Sequence, residues 1–212
     1  MYFLTKELWF PDPRETTKEG VLAIGGDLSP ERLMLAYRNG IFPWFNEEEP
    51  IVWWSPIERM VLFPENLKIS KSMKSVLNKD KFQYTVNHNF EEVILNCAKI
   101  KRKGEQGTWI TNDMIQAYIT LHQLGYAHSV ETWQEDKLVG GLYGIYLKEK
   151  GIFCGESMFT KVSNASKFAF IKMNTHFKTR GLKLVDCQMY TSHLESLGAK
   201  LICREEFLKH LN

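Results

Sequence analysis

Residues 138–147, L-V-G-G-L-Y-G-I-Y-L, and residues 151–158, G-I-F-C-G-E-S-M, are two apolar runs separated by a short polar turn. Apolar runs of this length that are bounded by turn residues predict buried strands. A strand A-H-S-V-E-T-W at 127–133 precedes them, and a helix from Asn164 to Arg180 leads to a further strand at 182–189. Strand–strand–strand–helix–strand predicts an α/β (α+β) fold around a mixed central sheet flanked by helices.

Three further helices are predicted upstream, because apolar residues recur at helical spacing and suitable residues occur at the helix ends. They lie at 70–78, 90–99 and 112–124, with a strand at 81–87 between the first two.

The N-terminal part of the chain differs in composition from the rest. Gly and Pro residues are frequent before Pro64, so we expect only short elements there, the best being a helix over 29–40. Since the composition changes near Pro64, we expect a small N-terminal domain over 1–63 and a larger α/β domain over 64–212.

The composition is that of an ordinary soluble globular protein, with 212 residues, 44% of them hydrophobic and 25% charged. The N-terminus lacks the pattern of a signal peptide, and no apolar stretch approaches the length of a membrane span. The four cysteines show neither a C-x-x-C pair nor zinc-ligand spacing. We therefore expect a cytoplasmic protein with reduced thiols and no membrane contact.

Basic residues are concentrated in one region, although the net charge is only +2. Residues 68–103 hold nine Lys or Arg against three acidic residues. Such a segment is typical of a solvated loop, and it is also typical of a surface that binds nucleic-acid phosphates. The sequence alone leaves both interpretations open.

Three polar residues stand in the apolar runs. Glu156 lies within the strand at 151–158, and Asp186 and Gln188 lie within the strand at 182–189. Burying an unpaired carboxylate costs several kcal/mol or a large pKa shift, so these residues need partners. They form either a structural hydrogen-bond network or a polar site that faces a cationic substrate, and the sequence favours neither.

Two aromatic clusters and one helix can each be interpreted in two ways, as part of the core or as part of a binding site. The strings G-I-F-P-W-F at 40–45 and V-W-W-S-P at 52–56 are typical of a core and also of platforms on which bases stack. The helix at 164–180 carries apolar residues on two faces, so it is either buried on both sides or lines an apolar ligand pocket.

Several catalytic motifs are missing from the sequence. It has no G-x-S-x-G elbow and no H-E-x-x-H, and it has neither of the glycine-rich loops that bind dinucleotides or nucleoside triphosphates. Covalent catalysis, a metal site and a nucleotide cofactor are therefore not expected.

Several longer strings occur together, in order, over nearly the whole chain. They are G-V-L-A-I-G-G-D-L-S-P-E-R-L at 20–33, A-Y-R-N-G-I-F-P-W-F at 36–45, I-V-W-W-S-P at 51–56, G-T-W-I-T at 107–111, A-Y-I-T-L-H-Q-L-G-Y-A-H-S-V-E at 117–131, L-V-G-G-L-Y-G at 138–144, F-C-G-E-S-M-F at 153–159, N-A-S-K at 164–167 and L-V-D-C-Q at 184–188. Through this series the chain resembles the leucyl/phenylalanyl-tRNA–protein transferases.

The resemblance implies an enzyme that moves Leu or Phe, and Met less efficiently, from aminoacyl-tRNA to a protein whose N-terminal residue is Arg or Lys. The product would be marked for N-degron (N-end rule) degradation. A GNAT-like acyltransferase fold is implied for the larger domain, with no CoA and no other cofactor. Two alternatives stay open: an acyl-CoA-dependent N-acyltransferase on the same fold, and a non-catalytic RNA-binding protein.

The resemblance also implies roles for individual residues. Asp186 and Gln188 match the family's catalytic pair and Glu156 its neighbouring acid, so the pair would take or relay a proton from the attacking amine. Glu156 and Asp186 would also favour a cationic Arg or Lys acceptor.

Two groups of substrate-binding residues follow from the same resemblance, and the basic region at 68–103 would receive the acceptor-stem phosphates. The pocket for the transferred side chain would be formed by Leu142, Phe153, Met158, Phe170, Met173, Phe177 and Val185. The aromatic residues near the terminal adenosine would be Tyr37, Trp44, Trp109 and Tyr118.

Overall fold

A computed structural model describes residues 1–79, 81–100 and 109–212. Within these residues the chain forms two sheets, seven α-helices and a short 3-10 helix at Pro64–Asn66. The strands are β1 (Tyr2–Leu4), β2 (Val21–Gly25), β3 (Phe42–Pro43), β4 (Val52–Trp54), β5 (Glu58–Leu62), β6 (Gln83–Val86), β7 (Ala127–Gln134), β8 (Lys137–Leu147), β9 (Ile152–Thr160), β10 (Leu184–Gln188) and β11 (Lys200–Cys203). The helices are α1 (Pro30–Arg38), α2 (Lys71–Asn78), α3 (Phe90–Ala98), α4 (Asn112–Gln123), α5 (Ala165–Lys178), α6 (Ser192–Ser196) and α7 (Arg204–Leu211).

The larger sheet has seven strands in the order β11-β5-β10-β9-β8-β7-β6. All neighbours run antiparallel except β9 and β10, which run parallel. A parallel pair needs a long crossover connection, and α5 supplies it. One face of α5 packs on the sheet through Phe170, Met173 and Phe177, and another packs beside Met73 of α2 through Phe168 and Ile171. The double apolar character of this helix therefore reflects burial on two sides, and the face with Phe170 and Met173 also borders the cavity described below.

The smaller sheet, in the order β1-β2-β4-β3, lies with α1 in the N-terminal part of the chain. Ser29 caps α1 by accepting the N–H of Arg32, and Gly40 follows the helix with a positive φ of 72°. Trp53 of β4 is fully buried, and its indole N–H donates to the carbonyl of Gly25 on β2 at 2.9 Å.

The predicted fold class is confirmed, since a large mixed sheet is flanked by helices. The helices predicted at 29–40, 70–78, 90–99, 112–124 and 164–180 all form, with ends shifted by at most two residues. The sequence interpretation did not include β5, β11, α6 or α7. These elements are only four to eight residues long, so their periodicity is weak.

The division of the chain at residue 63 stays a prediction. Strand β5, which precedes that point, pairs with β10 on one side and with β11 on the other, inside the larger sheet. We therefore propose a boundary just before Glu58, so that this strand belongs to the larger domain. Of the basic region at 68–103, residues 101–103 lie outside the described part of the chain.

Candidate active site

A cavity of about 530 Å³ opens between the loop that carries β3 and the strands β8, β9 and β10. One wall is apolar, and polar groups gather where β9 and β10 meet. The apolar lining is Leu142, Phe153, Met158, Phe170, Met173, Val185, Met189 and Leu194, and the polar lining is Glu156, Ser157, Gln188, Thr191 and His193. The remaining lining residues are the aromatic residues Phe42, Trp44, Trp109, Tyr143 and Tyr190, together with Pro43, Gly155 and Cys187.

Strand β9 has an extra residue where it borders the cavity. Gly155 and Ser157 pair with consecutive residues of β8, so Glu156 between them forms a β-bulge. A bulge redirects the side chain of the extra residue, which is why bulges occur beside active sites. The two strands approach so closely here that a Cβ on Gly144 would lie 2.2 Å from the carbonyl oxygen of Cys154. Only glycine fits at that position of β8.

Strand β10 has a second bulge, because Asp186 and Gln188 pair with consecutive residues of β5 and Cys187 is extra. Gln188 takes a positive φ of 63°, which costs a non-glycine residue about 1 kcal/mol or more. The carboxylate of Asp186 offsets this cost by accepting the backbone N–H of Gln188 at 2.9 Å. Val185 and Cys187 line the cavity, whereas Asp186 is bonded beneath it.

The carboxyl group of Glu156 is held by three donors. The hydroxyl of Tyr37 donates to it at 2.7 Å, that of Tyr118 at 3.0 Å, and the amide of Gln188 at 2.8 Å. The two tyrosine hydroxyls also contact each other. Helices α1 and α4 and strand β10 therefore converge on a single carboxyl group at the cavity wall.

Burial raises the pKa of Glu156 to about 7, and the charge of Asp186 adds to the rise. The hydrogen bonds from Tyr37, Tyr118 and Gln188 act in the opposite direction, since they stabilise the carboxylate. Burial also raises the pKa of both tyrosines well above the ordinary value, so both phenols are neutral. Glu156 can therefore gain or lose a proton near neutral pH, as a general acid or base must.

Asp186 is neutralised by an arginine that the sequence interpretation did not include. Arg59 donates to its two oxygens at 2.8 and 2.7 Å, and both side chains are almost fully buried. Because Asp186 is paired in this way and is absent from the cavity lining, its position does not favour direct proton transfer. A sequence signal for Arg59 existed, since E-R-M-V-L at 58–62 places two charged residues, Glu58 and Arg59, directly before three apolar ones in one short strand.

Most residues predicted to hold the transferred side chain lie on the cavity wall. Phe177 does not, and instead it packs behind Phe153 with their ring centroids 5.1 Å apart. Those on the wall are Leu142, Phe153, Met158, Phe170, Met173 and Val185.

Two of the four residues predicted to bind the terminal adenosine line the cavity, namely Trp44 and Trp109. The other two do not, because the rings of Tyr37 and Tyr118 are buried and their hydroxyls bond to Glu156. A fully buried ring presents no face on which a base could stack, so the geometry assigns these tyrosines to Glu156 instead.

The described residues give little support to a cysteine nucleophile or a metal site. Burial raises the pKa of the Cys154 and Cys187 thiols, so neither is a thiolate at neutral pH. Within residues 1–79, 81–100 and 109–212, no group of three or more His, Cys, Asp or Glu side chains could hold a metal ion. The described helices are also too short or too polar to cross a membrane.

Comparison with known families gives a clear result. The family model described as leucyl/phenylalanyl-tRNA protein transferase matches residues 61–212, which is more than half of the chain. The model of that transferase's N-terminal domain matches residues 26–57. The chain belongs to the leucyl/phenylalanyl-tRNA–protein transferase family.

Curated relatives that carry this family's name are similar over most or all of their length. The Leucyl/phenylalanyl-tRNA--protein transferase of Flavobacterium johnsoniae is 62% identical over 211 residues, which cover 100% of this chain and 99% of the relative. The enzyme of the same name from Christiangramia forsetii is 59% identical and is covered completely. The one from Shewanella halifaxensis is 52% identical, with 95% of this chain and 85% of the relative covered.

The solved structures that match this chain are distant from it in both sequence and structure. A GCN5-related N-acetyltransferase from Kribbella flavida has a TM-score of 0.39 at 10% identity, covering 81% of this chain and 60% of that one. The structure of L-PGS from Bacillus licheniformis has a TM-score of 0.43 at 12% identity, covering 82% and 57%. Scores this low carry no functional argument.

Proposed function

We propose that this protein transfers Leu or Phe, and Met less efficiently, from aminoacyl-tRNA to the N-terminal Arg or Lys of acceptor proteins. The product would be marked for N-degron degradation in the cytoplasm, and no CoA would take part. The observation that carries the proposal is the position of Glu156, a carboxyl group with a pKa of about 7 on the wall of a largely apolar cavity. Family membership and the names of the relatives support the same reaction.

The apolar wall suits the side chain that is transferred. Leu142, Phe170 and Met173 belong to the described core and also border the cavity, so a Leu or Phe side chain would be removed from water there. Burying such a side chain contributes about 1.5–3 kcal/mol, which makes apolar aminoacyl groups the preferred cargo. Met158 and Met173 are flexible enough to adapt to both shapes.

The chemistry asked of the protein is modest, because the aminoacyl ester is already activated. The acceptor's α-amino group, with an ordinary pKa of about 7.7–8.0, must lose a proton before it attacks. Glu156 is matched to this task, since a difference of about one pKa unit costs only about 1.4 kcal/mol. The free amine then attacks the ester carbonyl and the C–N bond forms. The C–O bond to the tRNA breaks, and the leaving oxygen takes up the second amine proton.

The three polar residues have different tasks in this proposal. Glu156 accepts the ammonium proton, and Gln188 orients the carboxyl group through its 2.8 Å hydrogen bond. Asp186 holds the bulge that directs Gln188, so it is a positioning residue. Since Arg59 already balances the charge of Asp186, the electrostatic preference for a cationic acceptor is assigned to Glu156.

We assign the terminal adenosine of the tRNA to the aromatic side of the cavity. Trp44 and Trp109 border it, and a terminal adenine could stack there, a contact that contributes about 1–3 kcal/mol per base. The acceptor-stem phosphates would meet the lysines of the basic region, which attract nucleic acid without reading its sequence. The lysines within the described residues are Lys68, Lys71, Lys74, Lys79, Lys81 and Lys99.

The test is transfer of labelled Leu from charged tRNA to two peptides that differ only in their N-terminal residue, Arg or Ala. We expect incorporation into the Arg peptide alone, with acetyl-CoA giving no product. Acetyl transfer without tRNA would instead indicate an acyl-CoA-dependent N-acyltransferase. Salt-sensitive RNA binding that ignores aminoacylation, with no transfer, would indicate a non-catalytic RNA-binding protein.

A further inference from the structure

Arg59 is almost completely buried and uses its guanidinium in three directions. Its Nε and Nη2 donate to the two oxygens of Asp186 at 2.8 and 2.7 Å, and its Nη1 donates to the carbonyl of Gly40 at 3.1 Å. The group lies between the rings of Phe42 and Phe207, with its central carbon 4.6 Å from each ring centroid. These bonds reach two residues, Asp186 on β10 and Gly40 after α1, and both elements meet at Glu156.

The first route runs through strand β10. Asp186, fixed by Arg59, accepts the N–H of Gln188, and the side chain of Gln188 donates to Glu156. The bulge that allows this needs a left-handed backbone at Gln188, so it depends on the bond from Asp186.

The second route runs through helix α1. Gly40 follows the end of that helix, and Tyr37, one turn earlier, donates to Glu156 at 2.7 Å. By accepting a hydrogen bond from Arg59, the carbonyl of Gly40 fixes the helix end that carries this tyrosine.

We propose that Arg59 is a positioning residue that fixes the carboxyl group of Glu156 from both sides, through Asp186 and Gln188 and through Gly40 and Tyr37. The inference rests on the proposed function, because it assumes that Glu156 accepts the amine proton. A buried ion pair adds little net stability, since desolvation offsets the attraction. The rigid fork of an arginine, however, defines geometry in a way that a lysine or an apolar residue does not.

Arg59 also acts on Glu156 through charge. The positive charge of Arg59 favours the ionised form of Glu156, whereas the negative charge of Asp186 opposes it and raises the pKa of Glu156. The titratable and charged groups that surround Glu156 come from six elements. They are Tyr37 of α1, Arg59 of β5, Tyr118 of α4, Tyr143 of β8, Cys154 of β9 and Asp186 of β10.

Three variants test the proposal: Arg59→Lys, Asp186→Asn, and the double variant Arg59→Met with Asp186→Asn. The double variant leaves no unpaired charge in the interior, so it keeps the test informative if single variants fold poorly. Circular dichroism and thermal melting report folding. Steady-state kinetics of Leu transfer at several pH values give kcat, KM and the kinetic pKa, and titration by ¹³C NMR of the Glu156 carboxyl gives its pKa without any activity.

We expect Arg59→Lys to lower kcat about tenfold with KM changed less than about twofold, and to raise the pKa of Glu156, because a lysine no longer fixes the donors Gln188 and Tyr37 on the carboxylate. Asp186→Asn should lower the pKa of Glu156, and the double variant should return it toward the wild-type value. A folded Arg59→Lys protein with wild-type kcat would overturn the proposal, as would a Glu156 pKa that ignores Asp186→Asn. If the wild-type protein transfers no Leu, the proposed function fails, and the NMR titration still tests the two routes.

Discussion

Glu156→Gln should make the protein more stable at alkaline pH, although it removes the central group of the site. The pKa of Glu156 is raised from an ordinary 4.5 to about 7. Between these values the folded chain keeps a proton that the unfolded chain has released, so stability falls as pH rises and is lowest above pH 7. The difference corresponds to about 3 kcal/mol. Gln has the same shape: its oxygen can accept from Tyr37 and Gln188, its NH2 group can donate to the hydroxyl of Tyr118, and it has no charge to bury.

The assay is urea unfolding at pH 5, 6, 7 and 8, followed by tryptophan fluorescence and circular dichroism. At pH 5 the variant and the wild type should have similar free energies of unfolding. At pH 8 the variant should gain up to about 3 kcal/mol, or about 6–12 °C in melting temperature.

A matched control is Glu131→Gln on β7, which changes a buried carboxylate away from the cavity. Glu131 accepts from the hydroxyls of Thr85 and Ser129 and from the N–H of Asn89. In Glu131→Gln, an NH2 group would replace one accepting oxygen and would face one of these donors; the Thr85 hydroxyl, for example, already accepts from Trp133. This variant should lose stability at every pH. If Glu156→Gln showed no gain over the wild type between pH 5 and pH 8, the raised pKa and the reasoning built on it would be wrong.

Three further changes separate the parts of the site. Tyr37→Phe or Tyr118→Phe removes a donor to the buried carboxylate of Glu156, so the kinetic pKa should rise and transfer at pH 7 should slow. A pH–rate profile measures both effects, and an unchanged profile would show that these tyrosines do not set the pKa of Glu156. Trp109→Ala should weaken the binding of an aminoacyl-adenosine analogue measured by calorimetry, and wild-type affinity would refute adenine stacking. Gly144→Ala should lower the melting temperature, because its Cβ would lie 2.2 Å from a carbonyl oxygen. Gly155→Ala, with 3.7 Å of room, is the control that should melt close to the wild type.

The order of the main strands and helices was predictable because each has a clear period and clear ends. Helix α5 and strands β8 and β9 are long enough for their apolar pattern to be read without knowing their neighbours. Strand β5 is different, because its five residues become a strand only through pairing with β10 and β11, which follow more than a hundred residues later. Pairing at that distance leaves little trace in local sequence.

The composition of the candidate site was predicted better than its internal arrangement. Glu156 and Gln188 do meet, as two polar residues in apolar strands suggested. The two bulges that redirect them depend on register, which a single sequence does not reveal. The aromatic character of Tyr37 and Tyr118 gave no sign that their hydroxyls, rather than their rings, carry the contact.

The single-turnover rate of Leu transfer from charged tRNA to an Arg peptide, measured from pH 5.5 to 8 with the wild type and with Glu156→Gln, tests the central claim most directly. We predict that the wild-type rate rises with pH and levels off near pH 7, where Glu156 becomes ionised. The variant should be about 10²–10⁴-fold slower, the usual contribution of a general base, and should lack that inflection. A variant that keeps both the rate and the inflection near pH 7 would contradict the assignment of Glu156 as the proton acceptor.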